Sequence, residues 1–383
     1  MLATLGTNGS TDSAPRNGLI HPLRRNKRDQ FAFAAFLSAA IITSQAAFAQ
    51  DQSGATAKKR MDDPAPACWS ADQLRFRQGE QQVHKRIAAS IVDPPAAQSD
   101  RFSPLRPLGV IRRVKLPPDK KLIALTFDLC ETPDEVAGYQ GDIVDTLRKN
   151  NVKATFFSGG KWMLSHEERA AQLMGDPLFS VENHTWEHRN LRLLSGEQLR
   201  DEVNNASLAY ASVRERLIAR QCVAADNADI AERAATRQKL FRFPFGACNL
   251  EALDAVAQQG MTPVQWDVSS GDPSRGETSP HMTRDVLANV RPGSIVLFHA
   301  NGRGYHTEAA LPLIIDGLKK QGYQFVTVNE LIEAGEPVYV SSCYDNNPGD
   351  TDRYDNLARS LDNQYRAFSA ARAKTKKIAR EPE

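Results

Sequence analysis

From Lys121 onward the chain alternates short apolar runs with longer segments that carry apolar residues at helical spacing. The apolar runs are Leu122–Phe127, Val152–Phe157, Phe179–Asn183, Leu240–Phe243, Pro263–Trp266, Ser294–Phe298 and Gln324–Val328. Their length, and their continuous rather than alternating hydrophobicity, fit strands buried on both faces. Between them, Ile143–Lys149, Glu167–Leu173, Gly196–Leu217, Leu250–Gln259, Arg284–Ala288 and Glu308–Gln321 read as helices. Such alternation predicts an α/β fold with a parallel sheet and outer helices. A count of about seven parallel strands predicts a distorted, incomplete (β/α) barrel in place of an eight-stranded one, with N- and C-terminal extensions.

The flanks read differently. Residues 1–49 have the form of an export signal: a basic region at Arg24, Arg25, Lys27 and Arg28, an apolar stretch from Phe31 to Ile42, and a small-x-small site at Ala47-Phe48-Ala49. The apolar stretch is short for a bilayer span, so the expectation is a periplasmic or secreted protein with no stable membrane span after cleavage. A buried helix or a retained anchor is the alternative. Residues 50–116 are polar and punctuated by Pro94-Pro95, Pro104 and Pro107, which predicts an extended linker, with a turn at Cys68-Trp69 and a helix over Leu74–Val92. Residues 117–335 form the expected catalytic-type domain, interrupted by a polar insertion at 219–238, and residues 336–383 a polar tail.

The 383 residues carry 48 Lys and Arg against 46 Asp and Glu, a net charge of +2. That balance gives no general electrostatic case for nucleic acid. Five cysteines without a CxxC pair argue against a zinc knuckle. Cys222 and Cys248 flank one strand region and fit a bridge, while Cys68 and Cys343 lie in the two extensions and fit links that pin them to the barrel. The spacing leaves these pairings open. Cys130 sits beside an acid as a buried thiol or, less expectedly, a soft metal ligand.

Candidate chemistry collects at strand ends, where ligands bind in parallel α/β folds. The first apolar run delivers Asp128. The third is followed by His184 and His188, a pair four residues apart that faces one metal if the segment is helical or tightly turned. Arg242 closes the fourth and can hold a carboxylate in a bidentate fork. Asp272 follows the fifth, and His299 ends the sixth, where a general acid would sit. Turn caps, surface polar residues and a core histidine would explain each alone. Together an acid, a histidine pair, an arginine, an acid and a histidine on successive strand ends form the layout for metal-assisted hydrolysis.

Five segments carry a resemblance: Thr126-Phe127-Asp128, His184 to His188, Arg242 to Gly246, Trp266 to Asp272 and Leu297-Phe298-His299. In this order they resemble the motifs of the polysaccharide deacetylases, carbohydrate esterase family 4. The resemblance covers residues 117–335 and implies removal of N-acetyl, ahead of O-acetyl, groups from an envelope polysaccharide or peptidoglycan. It implies a divalent metal, zinc first, with cobalt, manganese or nickel as others, held by His184 and His188. It makes Asp128 the base, Arg242 its orienting partner, and His299 the acid with Asp272 behind it. The backbone N–H near Phe245 would stabilise the oxyanion, and Trp266 and Leu297 would wall the acetyl methyl. The sequence departs from the family where its third metal ligand belongs: Leu129 replaces the usual aspartate. Glu131 is the expected substitute ligand, or else Asp128 itself moves onto the metal. Ser269 and Pro273 are smaller departures, and Asn301 is a turn residue or a substrate contact. Leu129 motivates the main alternative, a non-catalytic glycan-binding protein on the same fold. A hydrolase of small amides is a third reading, and the oligomeric state stays open.

Overall fold

The structure is a computed structural model that describes residues 68–85, 92–96, 104–106, 108–226, 228–363 and 366. The expected export signal lies outside the described residues. Eight strands form one parallel sheet. Two antiparallel pairs accompany it among the described residues; one is the short pair His84–Lys85 with Glu135–Val136, and with the other the strands are β1 (Val110–Lys115), β2 (Leu122–Leu129), β3 (Ala154–Ser158), β4 (Phe179–Asn183), β5 (Leu240–Phe241), β6 (Thr262–Pro263), β7 (Val268–Ser269), β8 (Ile295–His299), β9 (Gln324–Phe325) and β10 (Glu336–Val340). The sheet runs β6-β5-β4-β3-β2-β8-β7, and β9 pairs with the start of β2. β6 and β7 do not pair with each other, so the barrel is open on that side, as the count of apolar runs predicts.

Each of β2, β3 and β4 is buried almost throughout, which explains why they read as unbroken apolar runs. Phe127 of β2 stacks between Phe156 of β3 and Phe298 of β8, with ring centroids 5.4 and 5.3 Å apart. These aromatic contacts across three neighbouring strands anchor the main core. Outside the sheet lie α1 (Gly141–Lys149), α2 (Gly160–Ser165), α3 (Glu167–Gly175), α4 (Gly196–Ile218), α5 (Leu250–Gln258), α6 (Ser279–Asn289), α7 (Thr307–Lys320) and α8 (Val328–Glu333).

The extensions belong to the fold more than their composition suggests. Val110–Lys115 falls in the expected linker, yet it is β1, with Val110, Ile111 and Val114 fully buried. It pairs antiparallel with β10 and touches the barrel through bridges Ile111–Val264 and Arg113–Ser294, next to the open side. Of the helix expected over Leu74–Val92, the described residues are helical at Leu74 alone, the end of a short helix Ala71–Leu74, because Arg75 turns to an extended conformation and Gly79 takes φ +97°. Trp69 and Leu74 are buried in the main core.

Disulfides join Cys68 to Cys222 and Cys248 to Cys343. The Cys222–Cys248 bridge is therefore not formed, and each extension is tied to the barrel by its own cysteine. Cys222 lies in a short helix, Gln221–Asp226, within the polar insertion. No helix among the described residues is long and apolar enough to cross a membrane.

Candidate active site

Sheet register assembles the site. Asp128 lies directly opposite His299 across β2 and β8. Ser158 is opposite Asn183 across β3 and β4, and Asn183 is opposite Phe241 across β4 and β5. The residues that immediately follow, His184 and Arg242, thus emerge at the same end of the barrel. They sit at a cleft of about 410 Å³ whose lining includes Asp128, Cys130, His188, Phe245, Trp266 and His299, with His184 and Arg242 buried behind it.

Arg242 is fully buried and organises the acid. Its Nη1 donates to Asp128 Oδ1 and to Thr126 Oγ1, each at 2.8 Å, while Nε and Nη2 reach the Val264 and Gln265 carbonyls. The guanidinium stacks on Phe157, 3.9 Å from the ring centre. Burial by itself would raise the Asp128 carboxyl, but Arg242, His184 and His299 outweigh it and hold it below the ordinary carboxylate value. Asp128 is therefore an ionised base at neutral pH.

His299 is organised in the same way. Its Nδ1–H donates to Asp272 Oδ1 at 2.8 Å, and its backbone N–H donates to Oδ2 at 2.7 Å. Thr307 Oγ1 adds a third donor to the fully buried Asp272. Burial pulls the His299 imidazole down, yet Asp272 prevails and leaves it above the ordinary histidine value. Nε2 is the free ring position, on a residue that lines the cleft.

His184 and His188 sit in a tight turn, not a helix. Thr185 and His188 take φ +67° and +59°, and Phe245 takes +60°, so three non-glycine residues in the left-handed region border the site. Such backbone persists only where contacts over-determine it. Here the Thr185 N–H donates to Asn183 Oδ1, the His188 N–H to Thr185 Oγ1, and the His188 ring packs against both His184 and Phe245. The His184 Nδ1 meets the Arg242 carbonyl at 2.9 Å. A carbonyl only accepts, so Nδ1 carries the proton and Nε2 presents a lone pair. That Nε2 is buried without a hydrogen-bond partner, 3.4 Å from Asp128 Oδ2. Burial lowers both imidazoles, His188 well below its ordinary value, and so favours the neutral form that ligates metal. Donor atoms of Cys130, His184 and His188 all lie within 4.8 Å of one another. The residues present therefore fit a divalent cation, with sulfur rather than carboxylate as the third donor.

Glu131 is not part of that group. It is fully buried in a different direction, where Oε1 accepts from Ser165 Oγ at 2.5 Å and from the Ala137 N–H at 3.1 Å, with Lys161 Nζ 3.9 Å from Oε2. These bonds hold the 131–137 loop, which corrects the expectation that Glu131 replaces the missing ligand. Leu129 is fully buried in the main core. Asn301 is also placed: its side-chain amide donates to the Cys130 carbonyl at 2.9 Å and to Sγ at 3.2 Å.

The expected pocket residues line the cleft together. Phe245, Trp266 and Leu297 do so, as do Ser269 and Pro273. Gly246 is required behind them, because at φ +61° a Cβ would also meet the Trp266 ring at 3.2 Å. What the sequence reading missed is the tail. Asp345, Tyr354, Leu357 and Leu361 line the same cleft. Tyr354 packs on Phe245 at 5.6 Å, and Asp345 accepts from Trp266 Nε1 at 3.0 Å. Ion pairs Arg192–Asp355 (2.6 Å) and Arg189–Asp362 (3.1 Å) fix the helical turns of residues 353–363 against the barrel. The signal for this was Cys343, a cysteine in a polar segment of an otherwise bridged chain.

Residues 115–218 match the family described as polysaccharide deacetylase. The chain is 30% identical over 233 residues to a peptidoglycan-N-acetylglucosamine deacetylase of Bacillus cereus, an alignment that covers 60% of this chain and 95% of that one. The chain belongs to the polysaccharide deacetylase family. A bifunctional xylanase/deacetylase of Pseudobutyrivibrio xylanivorans is 30% identical over 56% of this chain and 31% of its own length. A peptidoglycan-N-acetylglucosamine deacetylase of Listeria monocytogenes is 26% identical over 68% of this chain and 48% of its own. The chain thus spans a third to a half of those two relatives. A crystal structure of a carbohydrate esterase family 4 pseudoenzyme from Bacillus anthracis is similar at a TM-score of 0.48 and 26% identity, over 61% of this chain and 71% of that one. The family match ends at Ile218, so Arg242, Asp272, His299 and the tail wall are assigned to the site by geometry.

Proposed function

We propose that this protein hydrolyses acetyl groups, N-acetyl in preference to O-acetyl, from an envelope polysaccharide or peptidoglycan, with a divalent cation of which zinc is the first choice. One observation carries the reading. Two separately organised acid–base pairs, Asp128 with Arg242 and His299 with Asp272, face one cleft beside a pair of neutral histidines. Recognition of a glycan needs neither a carboxylate held ionised in a buried site nor a histidine raised by a dedicated aspartate.

A cation at His184 and His188 supplies polarisation of the acetyl carbonyl and acidification of a water when bound. Asp128 Oδ2, the oxygen that Arg242 leaves free, would take the proton of an attacking water. The backbone N–H near Phe245, a residue with left-handed backbone, would stabilise the developing oxyanion. His299 gives its Nε2 proton to the leaving nitrogen as the carbon–nitrogen bond breaks, and Asp272 stabilises the imidazolium before transfer. Trp266 and Leu297 shape an apolar end for the acetyl methyl. The tail residues Tyr354, Leu357 and Leu361 form an apolar ledge suited to the face of a sugar ring.

The test is acetate release from N-acetylated and O-acetylated glycans by protein stripped with a chelator and then resupplied with zinc. The proposal requires release that is lost on stripping and regained on resupply, faster for the N-acetyl substrate. Leu129 favours a second reading, a glycan-binding protein that has lost catalysis, because the usual ligand position is apolar and fully buried. Tight glycan binding with no acetate release under any metal would select it.

A further inference from the structure

We infer that Cys130 is the third protein ligand of this site and binds the cation as a thiolate, giving a Cys–His–His centre that prefers zinc or cobalt to magnesium or manganese. The inference rests on the deacetylase reading only for the presence of a divalent cation. Strand alternation is its first support. On β2, Thr126 and Asp128 both point to Arg242, whereas Leu129 points the other way into the main core. Alternation then returns Cys130 to the Asp128 side, and Cys130 lines the cleft. Its Sγ lies within 4.8 Å of the donor atoms of His184 and His188.

Two further observations point to a ligand. The His184 Nε2 lone pair is buried, unpartnered and directed into this group of atoms. Asn301 donates one amide to both the carbonyl and Sγ of Cys130, the kind of outer contact that orients a thiolate ligand and moderates its charge. The carboxylate that would compete from the same loop, Glu131, is turned away: Oε1 accepts from Ser165 and Ala137, and Oε2 lies 3.9 Å from Lys161 Nζ. Sulfur in place of carboxylate changes the selectivity, since thiolates favour zinc and cobalt while carboxylates suit magnesium and manganese.

Two measurements on the full-length chain test this. Wild-type protein loaded with cobalt(II) should show a thiolate-to-cobalt charge-transfer absorption. Cys130→Ser should lose that band and bind zinc at least about 10-fold more weakly, and Glu131→Ala should keep the band. Zinc-edge X-ray absorption on the wild type needs no substitution and should show a sulfur neighbour at about 2.3 Å. A shell of nitrogen and oxygen alone, a band that survives in Cys130→Ser, or failure of the wild type to take up either metal would overturn the assignment. Acetate release on the same zinc-loaded sample separates the two claims. A sulfur-free shell with acetate release rejects Cys130 and keeps the deacetylase; a sulfur shell without release does the opposite.

Discussion

Replacing Arg242 with Met removes the guanidinium and keeps much of its volume. In the wild type this fully buried side chain bonds Asp128 and Thr126 at 2.8 Å each, and every one of its nitrogens faces an acceptor. Breaking a buried ion pair from one side leaves an uncompensated charge and costs about 3–5 kcal/mol. Removing the second charge as well, in Arg242→Met with Asp128→Asn, should recover part of that loss, with a coupling energy of about 2 kcal/mol, inside the range of roughly 0.5–3 for contacting residues. The pH dependence of the metal-free protein should reverse. In the wild type the Asp128 carboxyl is held below 3.8, so its contribution is present above that value and is lost as pH falls through the lowered one. In Arg242→Met the largest opposing charge is gone and burial raises the carboxyl, so the variant is more stable when Asp128 is protonated and weakens as pH rises. Denaturant unfolding of the wild type, both single variants and the double variant across the acid range measures all of this. A double variant no more stable than Arg242→Met at neutral pH would refute the reasoning, because Asp128 would then not be an unpaired charge in the single variant.

Asp272→Asn should lower kcat by about 10²–10⁴-fold, and the alkaline limb of the rate profile should move to lower pH, because burial, the largest influence on His299, would then be opposed by Asp128 alone; a limb that stays in place would show that Asp272 does not set the His299 acidity. Tyr354→Ala should raise KM for a glycan by about 2–10-fold, equivalent to roughly 0.5–1.5 kcal/mol of ring contact, with kcat little changed; a loss confined to kcat would place the tail in the chemistry and not in binding. Burial, reinforced by Glu187, raises Glu202 to about 8, and Glu202 Oε2 accepts the Glu187 N–H beside His188. Its proton stabilises the fold below the ordinary glutamate value, and that contribution is lost as pH rises through about 8. Thermal unfolding should therefore show stability falling from the ordinary glutamate value of 4.5 up to about 8, a slope that Glu202→Gln abolishes; equal slopes for the two proteins would count against it.

The barrel was legible because buried parallel strands are apolar on both faces, and the five motif segments each follow one of them. β5, β6 and β7 are only two residues long, so the expected runs Leu240–Phe243 and Pro263–Trp266 overshoot the paired backbone. Their remaining residues turn into the site instead. The tail was illegible for a different reason. β10 is exposed or half-buried along its whole length, and residues 353–363 are held by ion pairs to Arg189 and Arg192. Segments fixed by a disulfide and by charge carry no apolar periodicity to read. Glu131 was misplaced because nearness in sequence is a poor guide across a turn, where two residues suffice to send a carboxylate into another network. Cys130 was in reach of the strand period, which places positions 126, 128 and 130 on one face.

Acetate release by zinc-loaded Asp128→Asn, measured beside the wild type on the same N-acetylated glycan and with glycan affinity determined in parallel, tests the central claim most directly. The account predicts release by the wild type, a fall of at least about 10²-fold in the variant, and an affinity that hardly changes. Release by Asp128→Asn at the wild-type rate, or a wild type that binds the glycan and never frees acetate, would contradict it.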